Sequence, residues 1–322
     1  MSGKDTAKTE KSGKPKAEPE VVHGTWQDRL SDVGLNIFVG ALRLLPVRRR
    51  LNLASWIVRR AVAPALGYYD RVEANIDHVW PDTPPEERRR IADAAIDNLA
   101  RAFIENYDPT EMLQRGAAYP VGGPGLADFE KARAEGRPVL LLSGHYGNPI
   151  CARCALVARG YEVGGLLRAM SNPYSNARYV QNYRDVAEPV FVQGPGGLKA
   201  LLRHVRGGGV LAMVFDVFDG SGVPIDFLGQ PAPTVTSPAD IALKTGALLI
   251  PYFGIRRADR YGFDAILEEP IEHGDPVEMM REATRRLEAR IKEDPGQWMW
   301  THRRWKPKRQ MKRQRKRAAA TM

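Results

Sequence analysis

Cysteine is scarce in this chain: Cys151 and Cys154 are the only two among 322 residues. Two thiols cannot build the disulfide framework of a small secreted scaffold, so the fold must rest on a buried core, and a reducing compartment is expected. Cys151-Ala-Arg-Cys154 is a lone Cys-x-x-Cys with no second pair to complete the four ligands of structural zinc, and it reads as two small apolar residues on a helix. No metal or redox cofactor is called for. The chain also lacks any apolar run of the roughly 20 residues that a spanning helix needs. Its nearest candidate, Val33–Leu45, is interrupted by Asn36 and Arg43. Residues 1–24 are rich in Lys, Glu, Gly and Ser and lack the apolar centre of a signal peptide, so they read as a disordered leader. At the other end acids are missing. None lies between Arg303 and Met322, whereas residues 303–317 hold ten Lys or Arg, as many as the whole net charge of +10. The rest of the chain is therefore balanced, and residues 308–322 read as a basic disordered tail. Such a run favours an anionic partner, either a phospholipid surface or a nucleic acid.

Hydrophobic residues make up 43% of the chain, enough to bury the core of a large α/β domain. Thr25-Trp-Gln-Asp28 has the spacing of a capping box, and a helix should follow to Leu45 and stop near Pro46. Arg43 and the cluster Arg48, Arg49, Arg50 suit a membrane-associating helix over residues 25–46 that lies at an interface and reaches for phosphates; the plain alternative is a core helix. A second helix is expected over residues 84–106, opened by Pro84-Pro85-Glu86-Glu87. Short apolar runs then predict buried strands at 137–143, 163–167, 190–192, 210–215 and 248–253. Helical stretches intervene at 150–159, 174–186, 196–206 and 236–246, and another covers 276–293. This alternation predicts a single α/β domain over residues 25–307, with a mainly parallel central sheet flanked by helices and the interfacial helix at its N-terminus.

His145 stands where the apolar run Val139–Leu142 gives way to a glycine-bearing turn. Open α/β sheets bind ligands at the carboxyl ends of their strands, and an imidazole there can take a proton near neutral pH. Asp216 follows the run Val210–Phe215 in the same way; it is either a functional carboxylate or a helix cap. Gly194-Pro-Gly-Gly197 lacks the Gly-Lys-Ser/Thr ending of a nucleotide loop.

Five blocks, in order, carry a resemblance. They are Ser143-Gly-His-Tyr-Gly-Asn148; Arg168 with Asn172-Pro-Tyr174; Asp216 with Gly222-Val-Pro-Ile-Asp-Phe-Leu-Gly-Gln-Pro231; Thr236 to Pro251; and Pro295-Gly-Gln-Trp-Met-Trp-Thr-His-Arg-Arg-Trp-Lys306. From about residue 30 to 307 the chain resembles the lipid A biosynthesis (late) acyltransferases. The resemblance implies transfer of a fatty acyl chain from acyl carrier protein or acyl-coenzyme A to a hydroxyl of a membrane glycolipid or lysolipid. It implies work at the cytoplasmic face of a bacterial inner membrane, on an anionic surface and with no specific nucleic acid. It makes His145 the catalytic base, Asp216 a second catalytic candidate, and Asn148, Arg168, Arg184 and Lys199 substrate contacts, the arginines serving phosphates. For each of these bases the plain alternative is a solvated surface charge. Arg303, Arg304 and Lys306, beside Trp298, Trp300 and Trp305, would meet membrane phosphates, as aromatic and basic residues do at an interface.

Two departures stand out. The family's histidine is followed five positions later by an acid, but here that position is Ile150. Val217 stands where the family is usually polar. Three readings of Ile150 are open. Another carboxylate, Asp216 or Asp219, serves the imidazole; a backbone carbonyl orients it; or the chain is a weakened, non-catalytic lipid-binding relative.

Overall fold

A computed structural model describes residues 24–305 of the protein. Apart from Gly24, the expected leader lies outside the described residues, as do Lys306 and the basic tail. The N-terminal helices are α1 (Trp26–Arg43) and α2 (Val47–Ile57), which runs through a π-helical turn (Val58–Val62) into α3 (Ala63–Ala65). They are followed by α4 (Tyr68–Val79), α5 (Pro85–Glu105) and α6 (Pro109–Gly116). The expected capping box opens α1: Thr25 Oγ1 accepts from Asp28 N at 3.1 Å, and Thr25 N donates to Asp28 Oδ2 at 2.9 Å.

The remaining chain alternates. It comprises β1 (Val121–Gly122), α7 (Leu126–Ala134), β2 (Val139–Ser143), α8 (Pro149–Val157), β3 (Val163–Leu167), α9 (Pro173–Val186), β4 (Val190–Val192), α10 (Pro195–Arg206) and β5 (Val210–Val214). After these come β6 (Val223–Phe227), β7 (Gln230–Thr234), α11 (Ser237–Thr245), β8 (Leu248–Arg256), β9 (Phe263–Leu267) and α12 (Pro276–Glu293). The main sheet has the order β1-β9-β8-β2-β5-β3-β4, and β6-β7 forms a separate hairpin. From β8 to β4 the strands are parallel, while β9 runs antiparallel to β8 and β1 parallel to β9. The mainly parallel α/β sheet predicted from the sequence is therefore present.

Every residue of β2 is buried, as a strand covered on both faces requires. Its side chains alternate: Leu140 and Leu142 join one core with Leu211, Met213 and Leu249, and Val139 and Leu141 join another with Ala212 and Ile250. The first core also contains Trp298, Trp300 and Trp305, all fully buried. This corrects the expectation that these tryptophans line a membrane interface. The segment after α12 folds back, and its rings pack on Phe227, Trp80 and each other, at centroid separations of 4.8–6.5 Å.

Candidate active site

The central strands β2 and β5 are parallel neighbours in a register that pairs Ser143 with Val214. Two residues beyond each end, His145 and Asp216 come together. His145 Nδ1 lies 2.7 Å from Asp216 Oδ1, and His145 N donates to Asp216 Oδ2 at 2.7 Å. Trp298 Nε1 donates to the same Oδ2 at 2.9 Å. An ionised carboxylate only accepts, so this bond puts the imidazole proton on Nδ1 and leaves Nε2 with a lone pair. Asp216 is buried, whereas the His145 side chain keeps a third of its surface exposed. Burial alone would raise the Asp216 carboxyl, but the charge of the imidazolium and the three hydrogen-bond donors, the ring among them, hold it well below the usual carboxylate range. For His145 burial is likewise the largest influence and disfavours the charged ring; the charge and hydrogen bond of Asp216 outweigh it, so the imidazole titrates above its ordinary value.

The turn carrying His145 needs two glycines. A Cβ on Gly144 would meet Leu287 at 2.6 Å and Asp216 Oδ2 at 3.0 Å. Gly147 has a φ of +58°, and a Cβ there would meet Gly254 O at 1.9 Å. The turn is held on both sides. Met299 N donates to His145 O at 3.0 Å, Gly147 N to Gln297 O at 2.9 Å, and Asn148 N to Gly254 O at 2.9 Å. Asn98 Nδ2 donates to Gly147 O at 3.0 Å and to Gln297 O at 2.9 Å.

His145 opens into a cavity of about 390 Å³. Leu99, Phe103, Ile150, Leu166, Tyr183 and Met299 are among the residues that make its wall largely apolar, and Arg168, Gln193, Asp219 and His302 also line it. A histidine–carboxylate pair beside an apolar cavity can activate a hydroxyl next to a hydrocarbon chain.

Comparison with known proteins agrees with this chemistry. Residues 30–307 match the family described as bacterial lipid A biosynthesis acyltransferase. The chain belongs to this family. It is 21% identical to a lipid A biosynthesis acyltransferase of Haemophilus influenzae, over 82% of this chain and 83% of that one. It is 24% identical to a lipid A biosynthesis lauroyltransferase of Escherichia coli, over 73% of this chain and 78% of that one. The protein is thus a member of a family of acyl-transferring enzymes.

Ile150 stands at the position where the resemblance led us to expect an acid. Ile150 lies in the first turn of α8 and forms part of the cavity wall, and the nitrogen an acid would serve, Nδ1, is already held by Asp216. Of the carboxylates considered for that place, Asp216 is the one on Nδ1; Asp219 accepts from the backbone and hydroxyl of Ser221 at 2.7 and 2.6 Å. Asn148 lines the cavity with its side chain committed inward. Its Oδ1 caps α8 through Ile150 N, and its Nδ2 donates to Glu105 and Asn106. Arg168 is exposed at the cavity and has no ion pair among the described residues. Arg184 and Lys199 are not brought to the cavity: Arg184 pairs with Glu188 at 3.4 Å on the outer side of α9, and Lys199 is exposed on α10.

Arg303 is exposed, but Arg304 is buried, and the expectation that it meets membrane phosphates is corrected. Its guanidinium donates to Val217 O, Pro233 O and Thr234 Oγ1 and lies over the Phe227 ring, and burial lowers its pKa to about 10. Trp298 and Asn98 escaped the sequence reading as site residues. The tryptophan carried only the look of an interfacial aromatic, and the asparagine sits mid-helix with no local signal. Cys151 and Cys154 are both buried on α8, and burial pushes the Cys154 thiol up to about 12. No helix among the described residues is long and apolar enough to cross a membrane.

Proposed function

We propose that this protein moves a fatty acyl chain from acyl carrier protein or acyl-coenzyme A to a hydroxyl of a membrane glycolipid or lysolipid, as in lipid A biosynthesis. His145 is the general base and Asp216 its orienting acid. The observation that carries this is the 2.7 Å bond between His145 Nδ1 and Asp216, which turns Nε2 into a base beside an apolar cavity. Nε2 takes the proton of the acceptor hydroxyl as its oxygen attacks the thioester carbonyl. Backbone amides or the Arg168 guanidinium stabilise the oxyanion, a term often the largest in acyl transfer. The tetrahedral intermediate then expels the thiolate, which receives the proton from the imidazolium. Asp216 keeps the ring in the right tautomer and stabilises it while charged. The apolar wall suits the acyl chain, and Arg168 suits a phosphate of the acceptor or donor. Asp216 on Nδ1 supports the catalytic reading over that of a non-catalytic relative, because an acid holds the imidazole although position 150 is Ile.

We place the enzyme on the cytoplasmic face of the bacterial inner membrane, with α1 lying in the interface. One face of α1 packs Val39 and Leu42 on α2 and α5. The other exposes Trp26 (72%), Leu30, Val33, Ile37 (68%) and Leu44 (87%), an apolar stripe at helical spacing. That stripe supports a helix seated in headgroups with its apolar side down. The deciding experiment is turnover by His145→Ala with an acyl thioester and purified membrane lipid, together with lipid mass spectrometry of cells lacking the protein. The variant should fold and lose transfer, and one lipid should lack an acyl chain. Wild-type turnover by the variant would overturn the assignment of the base.

A further inference from the structure

Helix α10 differs from the long helices α5 and α12. On α5 and α12, most of the arginines are engaged by acids. The α10 sequence PGGLKALLRHVR contains no acid. It buries Leu201 and Val205 against the sheet and turns Lys199, Arg203 and Arg206 to solvent in one stripe, with no ion pair to any of them among the described residues. Leu198 beside the stripe is 49% exposed. The neighbouring helix α11 adds exposed Leu243 and Lys244. Its one acid, Asp240, four residues before Lys244, instead accepts from Thr236 Oγ1 at 2.9 Å. The helix dipole accounts for bases in the last turns of both helices. It does not account for the missing acids or the two exposed leucines.

The helix that carries the stripe begins near the cavity, and Lys199 stands one turn into it. Gln193, at the end of β4, lines the cavity, and α10 starts two residues later. From Lys199 to Arg206 the cations extend over roughly 10 Å of helix. One phosphate group engages a compact cluster, whereas a row of this length with apolar residues on its flank matches an extended acidic protein face. The membrane is the weaker candidate, because the patch offers two leucines and no exposed aromatic, whereas the apolar stripe of α1 lies on another element and contains Trp26.

We propose that the outer face of α10, with the end of α11, is the docking surface for an acidic carrier protein that delivers the acyl thioester into the cavity at Gln193. The proposal deepens the function above by choosing the protein-borne donor, and it rests on that reading. The test compares two donors bearing the same acyl group, acyl-acyl carrier protein and acyl-coenzyme A, in the full-length wild type and the variant Lys199→Glu/Arg203→Glu/Arg206→Glu. A neutral counterpart with Gln at all three positions guards against misfolding. The charge-reversed variant should raise KM for the carrier-borne donor by roughly tenfold or more, the scale on which complementary charge acts, and flatten its salt dependence. The Gln variant should fall between, and kinetics with acyl-coenzyme A should stay at wild-type values. Unchanged KM for the carrier-borne donor, or an equal loss on both donors, would overturn the proposal. So would loss of binding to anionic vesicles with carrier kinetics intact, which would assign the stripe to lipid. If the wild type turned over neither donor, the acyl-transfer reading would fail. Titration with unacylated carrier protein would still decide the docking surface, with binding by the wild type but not the Glu variant supporting it and equal binding overturning it.

Discussion

Asp216 spends its two oxygens on three donors: the imidazole, the His145 backbone and the indole of Trp298. Asp216→Asn should therefore do more than remove charge, since an amide can present its NH₂ to the ring and favour the wrong tautomer. Turnover should fall by roughly 10²–10⁴-fold with the fold retained. The acid limb of the kcat/KM profile tests the same pair. A base must be unprotonated to work, and His145 is raised above 6.5, so in the wild type activity is lost as pH falls through a midpoint above that value. In the Asn variant burial acts unopposed, so the midpoint should move down. An unmoved midpoint would separate Asp216 from the imidazole. Trp298→Phe keeps the ring and deletes one donor to a charged acceptor, a bond worth about 1.5–3 kcal/mol, so a loss of roughly tenfold or more in kcat is expected. A profile and kcat identical to wild type would reduce Trp298 to packing. At this scale much was legible from the residues. His145 and Asp216 each stand just past an apolar run, but their meeting depends on β2 and β5 being neighbours, which residue spacing does not encode. Arg304 misled because a buried arginine and a solvated one look alike in a string of bases.

Among elements, the predicted strands are mostly those buried on both faces, whose continuous apolar runs are easy to read; the edge strand β4, half-buried, is read from its three apolar residues alone. The hairpin β6–β7 is a different case. Pro224, Pro231 and Pro233 dilute its strand pattern, and its two-residue turn is Leu228-Gly229, with φ of 55° and 80°, where an Asn-Gly would have announced it. Helices α2, α4, α6 and α7 lie outside the predicted elements; in α2, α4 and α6 the apolar positions are spread among charges that find partners elsewhere in the fold. Helix α1 was read correctly in place and cap, and its second apolar face makes a prediction. Trp26→Ala/Ile37→Ala removes side chains that touch little of the protein, so thermal stability should hold. Each lost side chain withdraws about 1.5–3 kcal/mol of apolar transfer if it is seated in lipid, so partition onto vesicles should drop by roughly tenfold or more. Equal sedimentation of variant and wild type with vesicles would remove α1 from the membrane contact.

Across the whole molecule, the N-terminal helical layer is joined to the sheet by buried charge. On α5, Asp97, Asn98, Arg101 and Glu105 are all buried, although in sequence they look like the solvated face of a helix. Their partners come from afar. Arg256 at the end of β8 grips both oxygens of Glu105 at 2.8 Å and offers its Nε to Asn98 at 2.7 Å, and Arg50 on α2 holds Asp108 and Glu111 at 2.6 Å each. Glu105 and Asn98 in turn hold Asn148 and Gly147 of the histidine turn, so the network that unites the layers also fixes the site. Breaking one partner should cost about 3–5 kcal/mol, because the other is left buried and charged. Arg256→Met does this, and Arg256→Met/Glu105→Gln should recover much of the loss. The pH dependence carries a sign. Burial is the largest influence on Glu105 and raises its pKa, but Arg256 overrides it and holds the carboxyl below 4.5 in the native state. The pair's contribution is therefore present above that value and lost as pH falls through the native one. Without Arg256 the native carboxyl moves up, so the deficit of Arg256→Met against wild type should be small in acid and grow as pH rises through the carboxylate range. Denaturant midpoints measured across that range decide it. A deficit independent of pH would mean that Arg256 stabilises by packing on Phe263, 4.4 Å from its guanidinium, and not by neutralising Glu105.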